Sequence, residues 1–350
     1  MRRMSGSFLA VGILCFLARE PLQGETGSRK QGSPPAKPSW VRVTEHAAWK
    51  PRDSSGEVAF DGRMWLFGGW YNSMGPFPND VWSSRDGIHW DLVSPSAPWV
   101  HADLPTSLVH DNRMWIMGGW YNGRLPGASA SNQVWSSRDG AQWARATASA
   151  AWPPRLGAGG AVFQGRMWLL GGVRQYFFGT KDDLLNDVWS SADGSRWEAA
   201  THNAPWAPRA YHAALAFDNK LWVMGGGNYL PDYLGYNDVW SSPDGVAWTK
   251  VTGKAPWPPR IWFSAVVYKK RMWVLGGWSN HPSKNWNDVW YSSDGLTWKE
   301  LKTETVWSPR HEHSAYVFDE KIWIAAGNSW PCTNDVWQLE IPDSWLEQQE

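Results

Sequence analysis

Four groups of residues in this 350-residue chain carry side chains whose types and spacing could do chemistry. Tyr211 and His212, a phenol and an imidazole side by side, directly follow Arg209-Ala210. His311 and His313 lie two apart, so on a strand they share one side, and Glu312 could join them at a metal only if that strand bends. Glu312 beside Arg310 could equally serve as acid or base on a sugar. Arg52, Arg155, Arg209, Arg260 and Arg310 recur in register and could ring a carboxylate or phosphate. Trp70, Trp120 and Trp278 each follow a Gly pair, where an indole face would stack on a sugar or a peptide side chain at low entropic cost.

What must position these groups is a repeat written six times. Its clearest copy runs from Ala204 to Thr252 and joins a W-x-P-R element, an apolar run, a Gly pair, a variable loop, Asn-Asp-Val-Trp and an Asp-Gly hairpin. The W-x-P-R elements begin at Trp49, Trp152, Trp206, Trp257 and Trp307, and the second copy has Trp99 with Ala102 in place of the Arg. Each Arg position lies 13 residues before the next Trp, namely Trp65, Trp115, Trp168, Trp222, Trp273 and Trp323. Runs of Val, Trp, Phe and Leu bounded by Gly, Pro, Asn and Asp read as short strands, and Asp-Gly makes the tight hairpin.

Four strands in about 50 residues describe a propeller blade. The sixth copy stops at Trp337 without a hairpin, and Ser39-Trp40-Val41-Arg42-Val43-Thr44 matches the missing fourth strand. The reading is therefore an all-β, six-bladed β-propeller of four-stranded antiparallel blades, closed by the N-terminal strand completing the last blade. Closure removes the open edges that an array of strands would otherwise expose. The propeller is placed at residues 39–341, with a C-terminal tail at 342–350.

Twenty-four of the 31 Trp fall at four fixed positions per blade and read as wedges between sheets. Seven stand outside the register: Trp70, Trp120, Trp262, Trp278, Trp286, Trp330 and Trp345. What every blade shares is architecture, so ligand contacts are sought among these seven. The same logic makes the repeated Arg a structural partner of the repeated Asp, and the Asn-Asp pairs a turn or inter-blade bond.

The W-x-P-R element, apolar strand, Gly pair and distal Trp together resemble the kelch repeat. The departures are the four fixed Trp, the Asn-Asp-Val-Trp strand and Ala326 for the first Gly of the sixth pair. The resemblance implies a binding face formed by the residue after each Gly pair and the two residues after each Arg. The first set comprises Trp70, Trp120, Val173, Gly227, Trp278 and Asn328. The second brings Asp53, Asp103, Tyr211, Trp262, His311 and Glu312 toward the axis. Loop aromatics add Tyr71, Phe77, Tyr121, Tyr176, Phe177, Phe178, Tyr229, Tyr233, Tyr236, Trp286 and Trp330. Arg209-Ala210-Tyr211-His212 resembles the copper-ligand element of galactose oxidases, yet no second Tyr matches it in another blade. Sialic acid mutarotases are six-bladed kelch proteins as well, and a carboxylate such as Glu312 beside Arg310 is similar to what sugar chemistry there would use.

The chain has 33 Lys plus Arg against 33 Asp plus Glu, so it offers no basic surface to nucleic acid or to anionic membrane. Arg2, Arg3 and the apolar run Phe8 to Ala18 read as a secretory signal within residues 1–24, too short to span a bilayer, followed by a flexible leader at 25–38. Without Cys15 in the signal, Cys332 is the remaining thiol and no intrachain disulfide forms. The expectation is a secreted or periplasmic monomer that binds a glycan or protein through Trp70, Tyr71, Trp120, Tyr121, Trp278, Asp53, Asp103 and Trp262, with no catalysis, cofactor or metal. The alternative is a carbohydrate-active enzyme, mutarotase-like or otherwise sugar-modifying, that uses channel residues Glu312, Arg310, His311, Tyr211 and His212.

Overall fold

Each repeat folds as a four-stranded antiparallel sheet in the computed structural model, which describes residues 37–71, 78–121, 130–175, 180–229 and 233–347. The expected signal, most of the leader, Phe77, Tyr176, Phe177 and Phe178 lie outside the described residues. Blade one comprises Gly56–Phe60, Arg63–Phe67, Val81–Ser84 and Trp90–Ser94, from axis to rim. The innermost strands of the other blades are Thr106–His110, Gly159–Phe163, Ala213–Phe217, Ser264–Tyr268 and Ser314–Phe318. These six strands neighbour one another all the way round, blade six meeting blade one. The ring closes as the sequence implies: Ser39–Thr44 pairs antiparallel with Val336–Glu340, with Trp40 opposite Leu339.

The wedge reading of the tryptophans resolves into three distinct contacts. The W-x-P-R indole is buried and meets the outer-strand indole of its own blade edge to face, as in Trp49 with Trp90 at 5.8 Å and 90°. Trp307 meets Trp40 in the same way at 6.0 Å and 89°, so the N-terminal strand supplies the sixth blade's indole. The second-strand indole donates its N–H to a carbonyl five residues earlier, as Trp65 does to Phe60 at 2.9 Å. Its ring floors the hairpin of the next blade so closely that a Cβ at Gly140, φ +73, would lie 2.2 Å from Trp65. Only glycine fits such a position. Blade six has no hairpin to cover Trp273, and there Tyr291 packs on it at 5.0 Å while Trp345 of the short C-terminal helix Asp343–Glu347 closes over Tyr291 at 5.7 Å.

The third contact is polar. In five blades the repeated Arg is fully buried and grips the repeated Asp with two parallel bonds, such as Arg209 Nη1 to Asp238 Oδ1 at 2.6 Å and Nη2 to Oδ2 at 2.9 Å. The same guanidinium donates to the first Gly carbonyl of its blade, Gly225 O at 2.8 Å, and to Ala207 O at 3.0 Å. The third-strand indole Trp240 donates to the same carboxylate at 2.8 Å. Burial opposes ionisation of Asp238 and Asp335, but the hydrogen bonds and charge of Arg209 and Arg310 outweigh it and hold both carboxyls below the usual range. Blade two lost both partners together: Ala102 is buried where the Arg would lie, and Gln133 Oε1 accepts from Trp135 at 3.0 Å. The neighbouring Asn stitches blade to blade, as Asn334 Nδ2 does when it donates to Ala47 O at 3.0 Å across the seam between blades six and one.

A buried ion pair broken on one side leaves a charge without its counterpart, at a cost of about 3 to 5 kcal/mol. Asp238→Ala is expected to lower the free energy of urea unfolding by that order. Gln133→Ala, in the blade without a guanidinium, is expected to cost about 1 kcal/mol. Equal losses in the two variants would contradict the clamp.

Candidate functional site

The second residue after each Arg position occupies the same place in every blade and adopts the same rare backbone. Ser54, Leu104, Gly157, Tyr211, Trp262 and Glu312 all have φ between 52 and 58°. Each N–H donates to the carbonyl of its counterpart in the preceding blade: Leu104 to Ser54 at 3.0 Å, Gly157 to Leu104 at 3.1 Å, Tyr211 to Gly157 at 2.8 Å. Trp262 to Tyr211 at 3.2 Å, Glu312 to Trp262 at 2.8 Å and Ser54 to Glu312 at 3.1 Å close the circle. Five of the six are not glycine, and a left-handed backbone costs each on the order of 1 kcal/mol. The bond to the neighbouring blade compensates for it.

This collar divides the axis into two spaces. On one side lies a channel of about 220 Å³ walled by the inner strands. Glu57 sits there, its carboxyl pushed up to about 8 because burial outweighs its hydrogen bond from the Ala315 backbone. On the other side is a mouth cavity of about 510 Å³. The residues that pair across its rim are those the kelch resemblance singles out, because Asp53 bridges Trp70, Asp103 bridges Trp120, Ile261 bridges Trp278 and His311 bridges Asn328.

The two walls of the mouth differ in chemistry. Blades four and five present Tyr229, Trp262 and Trp278, with centroids 4.7 Å apart for Tyr229 and Trp262 and 5.8 Å for Trp262 and Trp278. Tyr233 extends this wall, 5.3 Å from Tyr229. Blades six, one and two present His311, Glu312, Asn328, Asp53 and Asp103, with Trp70 and Trp120 beside the two Asp. Trp330, 67% exposed, stands at the lip beside His311. No Lys or Arg lines the cavity among the described residues.

Of the expected ligand-binding residues, Trp70, Trp120, Trp278, Asp53, Asp103 and Trp262 line this one cavity. Tyr71 does not line it; it lies over the Arg52 guanidinium at 5.3 Å. Tyr121, half exposed, sits edge-on to His101 at 6.1 Å. Glu312 and His311 line the mouth, but Arg310 is committed to Asp335 and reaches neither cavity. Tyr211 packs on Trp262 at 5.2 Å, while His212 turns to the channel wall and packs on Trp206 at 6.0 Å. Both side chains line the channel. His313 likewise packs on Trp307 at 5.2 Å, away from His311. Tyr229 is the residue that repeat-based reasoning undervalues: it comes from a variable loop, and only loop aromaticity flags it.

A family model described as the KLHDC2/KLHL20/DRC7 Kelch-repeats domain matches residues 195–349. The dynein alpha chain of the flagellar outer arm of Chlamydomonas reinhardtii is 38% identical over a stretch covering 36% of this chain and 3% of that one. The chain thus corresponds to a small fraction of that relative's length. The solved structure of YjhT superposes with a TM-score of 0.67 at 15% identity, over 84% of this chain and 96% of that one, a likeness of fold. The six four-stranded blades and these matches show a kelch-type propeller.

His212 offers a pH test of this packing. Burial, reinforced by Arg209, pushes its imidazole down to about 3, against about 6.5 in an unfolded chain. Between those values the unfolded chain takes up a proton that the folded one refuses, so stability is lost as pH falls from about 6.5 toward 3. Urea unfolding at a series of pH values is expected to show this, with a slope up to about 1 kcal/mol per pH unit shallower in His212→Asn. An identical slope in the variant would contradict a buried, neutral His212.

Proposed function

We propose that this kelch-type propeller is a binding module whose mouth cavity takes an uncharged saccharide. The observation that carries the reading is the lining of this cavity, which brings aromatic rings together with carboxylates and an amide and, among the described residues, no Lys or Arg. A pyranose has the matching chemistry: its C–H face packs on indole, and its hydroxyls donate to carboxylate oxygens. About 510 Å³ is within the range of small-ligand pockets. An acidic sugar would bring its own charge toward Asp53, Asp103 and Glu312, and the guanidiniums that could neutralise it are clamped in the blades. That argument weighs against mutarotation of a sialic acid.

The apolar start of the chain supports export, so the module acts outside the cytoplasm as a secreted or periplasmic monomer. A second reading, catalysis on a sugar, draws on one contact: His311 Nε2 lies 3.6 Å from Glu312 Oε2, two basic groups able to take a proton from a bound hydroxyl.

On a glycan array the purified chain is expected to bind neutral glycans and to ignore sialylated and uronate-bearing ones. Trp278→Ala is expected to weaken the best neutral ligand by about 10- to 100-fold, as removal of an aromatic anchor typically does. Preference for acidic glycans, or full affinity in the variant, would overturn the proposal.

A further inference from the structure

The collar has a local consequence at the seam between blades six and one. Consecutive residues on a regular strand point to opposite faces. At Glu312 φ is 52°, which breaks that alternation, and both His311 and Glu312 line the mouth beside Asp53 of the next blade. One possible ligand atom from each of Asp53, His311 and Glu312 lies within 4.8 Å of the other two.

The hydrogen bonds around these residues fix how they face one another. Asn285 donates from Nδ2 to Asn328 O at 3.0 Å, so its Oδ1 is the atom turned to His311 Nδ1, 2.6 Å away. An amide oxygen only accepts, and Nδ1 must therefore carry the imidazole proton. In that tautomer the lone pair lies on Nε2. His311 is 3% exposed, and Nε2 faces Glu312 Oε2 at 3.6 Å, one acceptor toward another. Asp53 is held as well, its Oδ2 accepting from Asn328 Nδ2 at 2.8 Å and its Oδ1 from the Ser54 hydroxyl at 3.1 Å. Trp262 stacks on the imidazole at 5.2 Å and 25°, fixing its plane.

A buried imidazole lone pair converging with two carboxylates, the imidazole and Asp53 each oriented by an outer hydrogen bond, is the arrangement of a metal site. Ligand atoms at about 2.1 Å from a tetrahedral ion stand about 3.4 Å apart, close to the His311 to Glu312 separation. Three protein ligands leave at least one position open, here toward the mouth. We propose that Asp53, His311 and Glu312 bind one divalent ion of the zinc or manganese class on the floor of the cavity. The imidazole favours such ions over calcium and magnesium, which prefer oxygen alone. The open position would accept sugar hydroxyls; that part rests on the proposed function, and the metal site does not. Taking the strand as straight, the sequence suggested no metal, and the bend at Glu312 is what changes the geometry.

The full chain, stripped with EDTA and dialysed, would be titrated with Zn²⁺ by calorimetry without saccharide, and with Co²⁺ by visible absorption. One equivalent is expected to bind, with a Co²⁺ d–d spectrum of nitrogen and oxygen ligation. Asp53→Asn and Glu312→Gln should each weaken Zn²⁺ at least about tenfold while exposed His89→Gln does not. The wild-type Co²⁺ spectrum stands as a readout even where a variant folds poorly. Uptake well below one equivalent by the wild type, or unchanged affinity in both folded variants, overturns the site. A chain that binds the ion but no saccharide refutes the function proposed above and keeps the metal; one that binds saccharide but no ion does the reverse.

Discussion

Six blades can share an axis only if each inner turn is bonded to the turn before it. The collar of N–H to C=O bonds through Ser54, Leu104, Gly157, Tyr211, Trp262 and Glu312 meets that constraint. It demands the same left-handed backbone of all six residues, and that conformation separates channel from mouth. In five of the six blades an Arg–Asp clamp behind it fixes the loop entering the turn, since the guanidinium holds the first Gly carbonyl of its blade as well as the carboxylate. Sixfold architecture and asymmetric site thus meet at one residue per blade. The backbone there is invariant, and the side chain is free to be Ser, Leu, Gly, Tyr, Trp or Glu.

The tryptophans divide along the same line. Those in register have assigned partners: an outer indole, a hairpin glycine or a repeat carboxylate. Of those out of register, Trp70, Trp120, Trp262, Trp278 and Trp330 line the mouth, while Trp286 lies over Arg260 and Trp345 stands in for a hairpin that blade six lacks. In blades one and two a rim indole and an acid sit side by side, Trp70 with Asp53 and Trp120 with Asp103, while blade six brings His311 and Glu312.

The blades, the closing strand and the Arg–Asp clamp were legible because each is written several times, and the exception tells as much as the rule: Ala102 and Gln133 change together. Trp70, Trp120, Trp278, Asp53 and Asp103 were legible by register alone. The collar was not. Of its six residues only Gly157 advertises a left-handed backbone, and nothing in Leu104 or Trp262 as residue types signals it. That concealed bend is why His311 appeared to pair with His313, when it faces Glu312 and Asp53. Tyr71 and Tyr121 stand off the cavity for a simpler reason: sequence adjacency to a mouth residue places a neighbour on the opposite side of the rim strand, over Arg52 or against His101.

The most direct measurement is a crystallographic difference map of the mouth, from crystals grown with a neutral hexose mixture. A sugar ring lying flat on Trp262 and Trp278, its hydroxyls directed at Asp53, Glu312 and Asn328, is the expected result. Ordered water alone in the mouth, with sugar density at another face of the propeller, would contradict the account.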